Sequence, residues 1–480
     1  MLVRIAQDSS PTQTLTGFRL MPLGFYSLDA RIQLARRARR SLDIQYYQIQ
    51  NDRTGRLLMR SLRDAALRGV RVRLLVDDLY TVGGDPMFRG LAAFPNVDVR
   101  LFNPFCCARQ SIVSKYMVSI ADFPRLNHRM HNKLFIADGA MAIMGGRNIA
   151  DEYFARSETS NFVDMDVFMV GPVVRQLANI FDAYWNSPQV YAVEDILGQF
   201  TDRDEARRGF DHLVDDGEQM MAVTVPPFDI LGYGPISDDL DAGRLGLVWG
   251  TAVAFADQPA KVMATSPEMA RSMSVQMSIM DRVMISKSDV VISSPYFIPG
   301  PMGVKEFGEL RKRNVKVAIL TNSLAANDEP LVHHGYAHYR AELLRTGVDL
   351  YELSPTRIRH NERLMLPGQS LGRLHAKTAV IDQATVYIGS MNLDPRSEST
   401  NTELGILAEC PELAKEVIRV INISKLQSSY RLRFAPDGQR LEWLATDDQG
   451  EVVLSQEPEV TPLMRLQNMF LAPFVPEQLL

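Results

Sequence analysis

Six residues stand out for what their types and spacing could do: His131, Lys133 and Asp138 in one half of the chain, His375, Lys377 and Asp382 in the other. Each trio has the spacing His-x-Lys-x4-Asp, and each is followed by Gly-x-x-Asn, at residues 145–148 and 389–392. With 8 histidines in the chain, one such trio is expected by chance about 0.03 times. Two of them therefore mark a site. In a strand, residues two apart face the same side, so each histidine shares a face with its lysine. The aspartate is an odd seven residues on, at a turn (Asp138-Gly139, Asp382-Gln383). Although it completes the catalytic motif, it is expected to cap that turn and brace the strand.

The chemistry that fits is phosphodiester transfer. Two ammonium groups neutralise the non-bridging oxygens and the charge that builds on them in the transition state. One neutral imidazole attacks phosphorus, and the other, protonated, gives its proton to the leaving alcohol. Holding two imidazoles in opposite protonation states calls for a carboxylate on each Nδ1. Glu403, 28 residues after His375 in TELGILAE, is the candidate for that ring; VDMDVFMVGP offers Asp164 or Asp166 for His131, with Asp164 preferred because it heads its strand as Glu403 does. The Gly-x-x-Asn turns are expected to present backbone N–H groups around Gly146 and Ser390, and the carboxamides of Asn148 and Asn392, to the anion.

The elements that must position these residues recur as well. SLDIQYY (41–47) answers to SDVVISSPYF (288–297), RGVRVRLLVDD (68–78) to RNVKVAILTNS (313–323), NVDVRLFNP (96–104) to GVDLYELSP (347–355), and MHNKLFIADGAMAIMGGRN (130–148) to LHAKTAVIDQATVYIGSMN (374–392). The offset stays near 245 to 250 residues throughout, as a duplication separated only by loop-length changes requires. Helical stretches alternate with short β-branched runs, which predicts an α/β fold. The expectation is two sandwich lobes, each with a mixed, mainly parallel sheet covered by helices on both faces. The divisions predicted are an N-terminal extension (1–16), lobe 1 (17–199), an Asp- and Gly-rich linker (200–245), lobe 2 (246–430) and a tail packed on the lobes (431–480). That tail carries a hairpin-like pair, RLEWLATDDQGEVVL, and a partly amphipathic end.

Bulk composition narrows the partners. Length alone, 480 residues, suits two domains. Hydrophobic residues at 46% and charged residues at 23% are values of a globular protein, and no apolar run reaches the roughly 18 residues that cross a bilayer. A net charge of −5 has the wrong sign for a protein living on nucleic acid. Cys106, Cys107 and Cys410 form no paired spacing and are read as reduced. Met1 to Thr16 has no apolar core of a secretory signal. His334 and His338 stand four apart in VHHGYAHYR, but no carboxylate or thiolate completes a metal set around them, and packing or substrate contact is the expectation for them and for His333. His128, His212 and His360 carry no constellation.

The duplicated motif with its Gly-x-x-Asn resembles the phospholipase D superfamily in both copies. RSLDIQYY, RLNHRMHNKLFIADG, MGGRNIADEYF, TNSLAANDEPLVHHGYAHYR and GSMNLDPRSESTNTELG further resemble the C-type bacterial cardiolipin synthases, over nearly the whole chain. The resemblance implies a phosphatidyl group passed from one phospholipid through a phosphohistidine to the hydroxyl of phosphatidylglycerol, with phosphatidylethanolamine as an alternative donor. It further implies His131 as nucleophile, no metal or cofactor, and no nucleic-acid partner. Subgroup members often begin with a lipoprotein-type or apolar leader, which these first residues lack, so the expected location is peripheral, at the cytoplasmic membrane of a bacterium. Two other readings compete: hydrolysis by the same intermediate, as in a phospholipase or, less so, a nuclease; and an inactive membrane-binding scaffold, which would need none of the motif residues.

Overall fold

The computed structural model describes residues 1–105, 109, 111, 113–114, 123–215, 225–264, 266–364, 366–447, 450–462 and 464. Cys106, Cys107 and most of the amphipathic C-terminal stretch lie outside them.

The first lobe contributes strands β1 (Thr16–Met21), β2 (Ser41–Tyr46), β3 (Arg71–Asp77), β4 (Val97–Phe102), β5 (Leu134–Ala137), β6 (Met141–Gly145), β7 (Ser160–Val163), β8 (Asp166–Val170) and β9 (Val190–Ala192). The second contributes β10 (Val248–Ala256), β11 (Asp289–Ser293), β12 (Lys316–Asn322), β13 (Asp349–Leu353), β14 (Leu371–Leu374), β15 (Thr378–Ile381), β16 (Thr385–Gly389), β17 (Leu404–Glu409) and β18 (Ser429–Phe434). Lobe 1 has the order β1-β8-β6-β5-β2-β3-β4-β9. Lobe 2 repeats it strand for strand as β10-β17-β16-β15-β11-β12-β13-β18. The hairpin read in RLEWLATDDQGEVVL extends that edge as β19 (Leu441–Asp447) and β20 (Gly450–Leu454).

The sheets are mixed, but the expected parallel majority is reversed. Only β2-β3-β4 and β11-β12-β13 run parallel within the lobes, and every other pairing in these two sheets is antiparallel. Part of the cause is local: each His-x-Lys segment turns at its aspartate and returns as a hairpin, β5-β6 or β15-β16, and a three-residue turn is too short to join parallel neighbours.

The two sheets are continuous, because β1 pairs antiparallel with β10. Gly17 sits at this seam opposite Trp249, where an added Cβ would come within 2.8 Å of the indole. Each lobe also covers the other. Helix α1 (Gly24–Arg37) and α2 (Arg53–Leu67) pack in lobe 1; α3 (Pro172–Trp185) lies over β10; α4 (Val275–Met284) and α5 (Gly300–Lys312) pack in lobe 2; α6 (Pro411–Gln427) lies over β1. Val173, Leu177 and Phe181 from α3 thus share one core with Ile406, Val417 and Ile421 from the other lobe. Burying each such side chain contributes roughly 1.5–3 kcal/mol, so the lobes hold a fixed relation.

Three stretches outside the repeat are ordered. Leu2–Ser9 is a helix with Leu2, Ile5 and Ala6 buried in the lobe 1 core. The described residues of 200–245 include two helices, Arg203–Val214 and Ile236–Ala242, packed on lobe 1 through Phe210, Val214, Ile236 and Leu240. Glu457 and Glu459, beyond β20, bind Arg340 and Ser354 of lobe 2.

Candidate active site

The site forms where the two motif strands enter the junction between lobes. Ahead of β5, the His131 N–H donates to Thr402 O at 2.9 Å; ahead of β15, the His375 N–H donates to Val163 O at 2.8 Å. β14 and β7 pair in parallel across the lobes, with Leu374 beside Val163, and Met130 bridges to Thr402 in the matching place. Each motif is thus tied by its backbone to the opposite lobe.

The carboxylates follow the same exchange. His131 Nδ1 lies 3.0 Å from Glu403 Oε2, and His375 Nδ1 lies 2.6 Å from Asp164 Oδ2. This corrects the grouping by sequence spacing, which put Glu403 with His375 and Asp164 with His131. Spacing along a repeat measures only position within one lobe, whereas the partners meet because the strand ends of one lobe abut those of the other. Asp166 is elsewhere: it ion-pairs with buried Arg31 at 2.9 Å.

Lys133 and Lys377 are each 1% exposed, and a buried ammonium group must find partners. Lys133 Nζ donates to His131 O at 2.7 Å, Lys377 Nζ to His375 O at 2.6 Å. Rings wall the histidines. Tyr47 stands 4.9 Å from His131, while Tyr153 and Phe162 stand 5.1 and 5.0 Å from His375. Sequence reasoning missed these three, although Tyr47 closes the first repeated segment.

Asp138 and Asp382 are away from the chemistry. Asp138 accepts the N–H groups of Arg39, Arg40 and Ser41, and Asp382 those of Lys287, Ser288 and Asp289. Both sit at positive φ, +53° and +51°, which aspartate tolerates in a turn. Their inclusion in the catalytic set is corrected accordingly: seven residues from the histidine is the far end of the strand.

The substrate-binding role expected of Gly146 and Ser390 is also revised. Their N–H groups are already given to Met165 O and Leu404 O, so neither presents its backbone donor to an anion. Gly146 instead makes room, since a Cβ there would lie 2.2 Å from Asp164 Oδ1. Ser390 donates its hydroxyl to Glu403 Oε2, and Ser397, unremarked in the sequence, donates to Oε1 at 2.9 Å. Asn148 bonds the Tyr153 hydroxyl at 3.0 Å, and the carboxamide oxygens of Asn148 and Asn392 are buried without a hydrogen-bond partner among the described residues.

The two halves differ in charge. Burial, then Lys133 and Lys377, pushes the His131 ring well below the ordinary imidazole range, while burial and Lys377, opposed by Asp164, bring His375 to about 4. Burial would raise Asp164, but His375, Lys377 and Arg147 hold it well below the carboxylate range. Burial pushes Glu403 up to about 7 against Lys133, Ser390 and Ser397, and pulls Lys377 down to about 8. One carboxylate is therefore always ionised and the other titrates near neutrality. A pH consequence follows. A Glu403 carboxylate accepts the His131 Nδ1 proton and leaves Nε2 with a free lone pair; protonated Glu403 donates instead and forces the proton to Nε2. As pH falls through about 7, kcat/KM should fall, and as pH rises through about 8, loss of the Lys377 proton should lower it again. A pH–rate profile checks this, with the acid limb absent in Glu403→Gln.

The rings of His334 and His338 meet edge to face at 4.6 Å, and among the described residues no three His, Cys, Asp or Glu side chains converge as metal ligands. No helix among the described residues is long and apolar enough to cross a membrane.

Duplicated sheets and two His–Lys pairs at their junction define a phospholipase D-like fold. The comparisons agree: the profile of the family described as "Cardiolipin synthase, PLD-like domain" matches residues 31–185 and 279–423, and the chain belongs to that family within the phospholipase D superfamily. Cardiolipin synthase C of Escherichia coli K12 is 40% identical over 90% of both chains, and a cardiolipin synthase of Staphylococcus aureus Mu50 is 25% identical over 88% of this chain and 69% of its own. The phosphatidylserine synthase structure from Haemophilus influenzae shares the whole fold, with a TM-score of 0.60, 14% identity and full coverage of both chains. The protein is an enzyme of the cardiolipin synthase-like phosphatidyltransferase kind.

Proposed function

We propose that the enzyme makes cardiolipin, moving a phosphatidyl group from a donor phospholipid to phosphatidylglycerol at a membrane surface. The carrying observation is the crossed pairing of His131 with Glu403 and of His375 with Asp164, which builds one site from both lobes and holds each ring by its Nδ1. In the first half-reaction the entering phosphodiester anion offsets Lys133 and Lys377, so that His375, neutral in the empty site, takes up a proton on Nε2; the His131 Nε2 lone pair then forms a bond to phosphorus, the bond to the leaving oxygen breaks, and His375 Nε2 gives that oxygen its proton. In the second, His375 takes the proton of the acceptor hydroxyl, whose oxygen bonds to phosphorus as the P–N bond breaks.

His131 is taken as nucleophile because His375 sits on Asp164, a carboxylate held well below its ordinary range, which stabilises an imidazolium. The ammonium groups of Lys133 and Lys377 supply the positive charge that suits an entering phosphodiester anion. Phosphatidylglycerol and phosphatidylethanolamine are the candidate donors.

Incubating the purified enzyme with labelled phosphatidylglycerol vesicles tests the reading. Cardiolipin plus glycerol is the expected product; phosphatidic acid alone would make it a hydrolase, and unchanged lipid would end the proposal.

A further inference from the structure

A cavity of about 460 Å³ opens between α4, α5 and the short helix Pro395–Ser399 of lobe 2. Its walls are apolar and soft: Met277, Met280, Met284, Met302, Phe297 and Phe307. Met302 is 67% exposed and Met277 48%, so the apolar lining continues outward onto the surface. Flexible thioether side chains of this kind adapt to apolar ligands of varying shape, and the volume is that of a small-molecule site.

Internal duplication supplies a control. The same three elements of lobe 1 are α1, α2 and the 3-10 turn Asp151–Phe154, and there they pack directly on one another. Asp151 accepts from the Thr54 N–H at 2.9 Å, ion-pairs with Arg53 at 3.0 Å and gives its own N–H to Asp52 at 2.7 Å. A Cβ on Gly24 would lie 2.6 Å from Phe154 Cα. One copy of the fold is closed by polar bonds, and the other is open and lined with methionine.

The opening adjoins the loop that carries the second Gly-x-x-Asn. One wall is Leu393 and Asp394, the residues directly after Asn392. Leu393 accepts the Ile298 N–H at 2.7 Å, which fixes that wall against the loop preceding α5. The charges at the rim decide what enters. Asp281, Glu306 and Glu398 outnumber Arg271, which is already paired with Glu398 at 3.1 Å. Such a rim repels an anionic headgroup and leaves the apolar interior for a hydrocarbon.

We infer that this lobe 2 groove binds one acyl chain of the phospholipid whose phosphodiester sits between the two histidines. The assignment rests on the phospholipid reading of that site. It makes the two lobes unequal, with one lobe gripping a tail and the other only framing the site.

Photolabelling the full-length enzyme with phosphatidylglycerol vesicles bearing a diazirine on one acyl chain, then mapping the adducts by mass spectrometry, tests the inference. Adducts are expected on residues 275–284 and 300–307. Met280→Trp, which fills the groove, should cut labelling there at least about tenfold and lower the ratio of kcat/KM for hexadecanoyl over butanoyl substrates by a similar factor, since even two displaced methylenes are worth that much. Adducts confined to other segments, or a chain-length ratio that Met280→Trp does not move, would overturn it. Labelling needs no turnover, so an enzyme that binds lipid in the groove but makes no cardiolipin would refute the proposed reaction and not the groove.

Discussion

Replacing His131 or His375 by alanine should lower kcat by at least about 10⁴-fold in each case, and the double replacement should cost little more than either alone. Residues that act as one unit lose most of their effect when the first is removed, and in the proposed reaction these two share one phosphorus atom and one proton relay. Their backbones are anchored to opposite lobes at Thr402 and Val163, so neither can substitute for the other by moving. The two variants should nevertheless fail differently. Without His131 no P–N bond forms. Without His375 the protonation of a poor leaving group fails, but a nitrophenolate leaves without a proton. His375→Ala given a nitrophenyl phosphodiester should therefore release one equivalent of nitrophenol and stop, whereas His131→Ala should release none. Steady turnover by either variant would contradict the pairing.

The second large effect concerns the exchanged carboxylates. Glu403→Gln and Asp164→Asn keep the shape of each partner but replace the ionised acceptor with an amide that can turn its NH2 towards Nδ1. Loss of the correct tautomer through such a change costs about 10⁴-fold in a serine protease triad, and a fall of about 10³ to 10⁴ is expected here. The crossed geometry adds a sharper requirement. Glu403→Gln, directly before β17 of lobe 2, should disturb the imidazole of His131, 272 residues away in sequence, and leave that of His375 as it was. Nitrogen-15 spectra of the two side chains would show which ring loses its Nδ1 proton. A change at His375 in place of His131 would refute the crossing.

Much of this was legible before any coordinates. Two His-x-Lys pairs in register with a repeat announced the chemistry, and strand parity put each lysine on its histidine's face. The turn placement of Asp138 and Asp382 already suggested the bracing that their bonds to the backbone of residues 39–41 and 287–289 reveal. What stayed hidden was everything that depends on how one lobe meets the other. Glu403 and Asp164 could be identified as carboxylates at strand heads, but a spacing of 28 residues carries no information about a contact made across a seam. The β1–β10 pairing was likewise invisible, because neither strand belongs to a repeated segment. Alternating helices and strands suggested a parallel sheet, yet the hairpin built into each motif makes most neighbours antiparallel. Residues 200–245 lacked a sustained period because their two helices are short and bury only isolated side chains such as Phe210 and Leu240.

The central claim is that one histidine, His131, carries the phosphatidyl group while His375 serves the proton. Rapid quenching at alkaline pH during turnover of labelled phosphatidylglycerol, followed by peptide mapping, tests it most directly, since a P–N bond survives base. The account predicts a phosphatidyl adduct on His131 Nε2 alone, accumulating in His375→Ala with the nitrophenyl substrate. An adduct on His375, or its absence under conditions where cardiolipin forms, would contradict it.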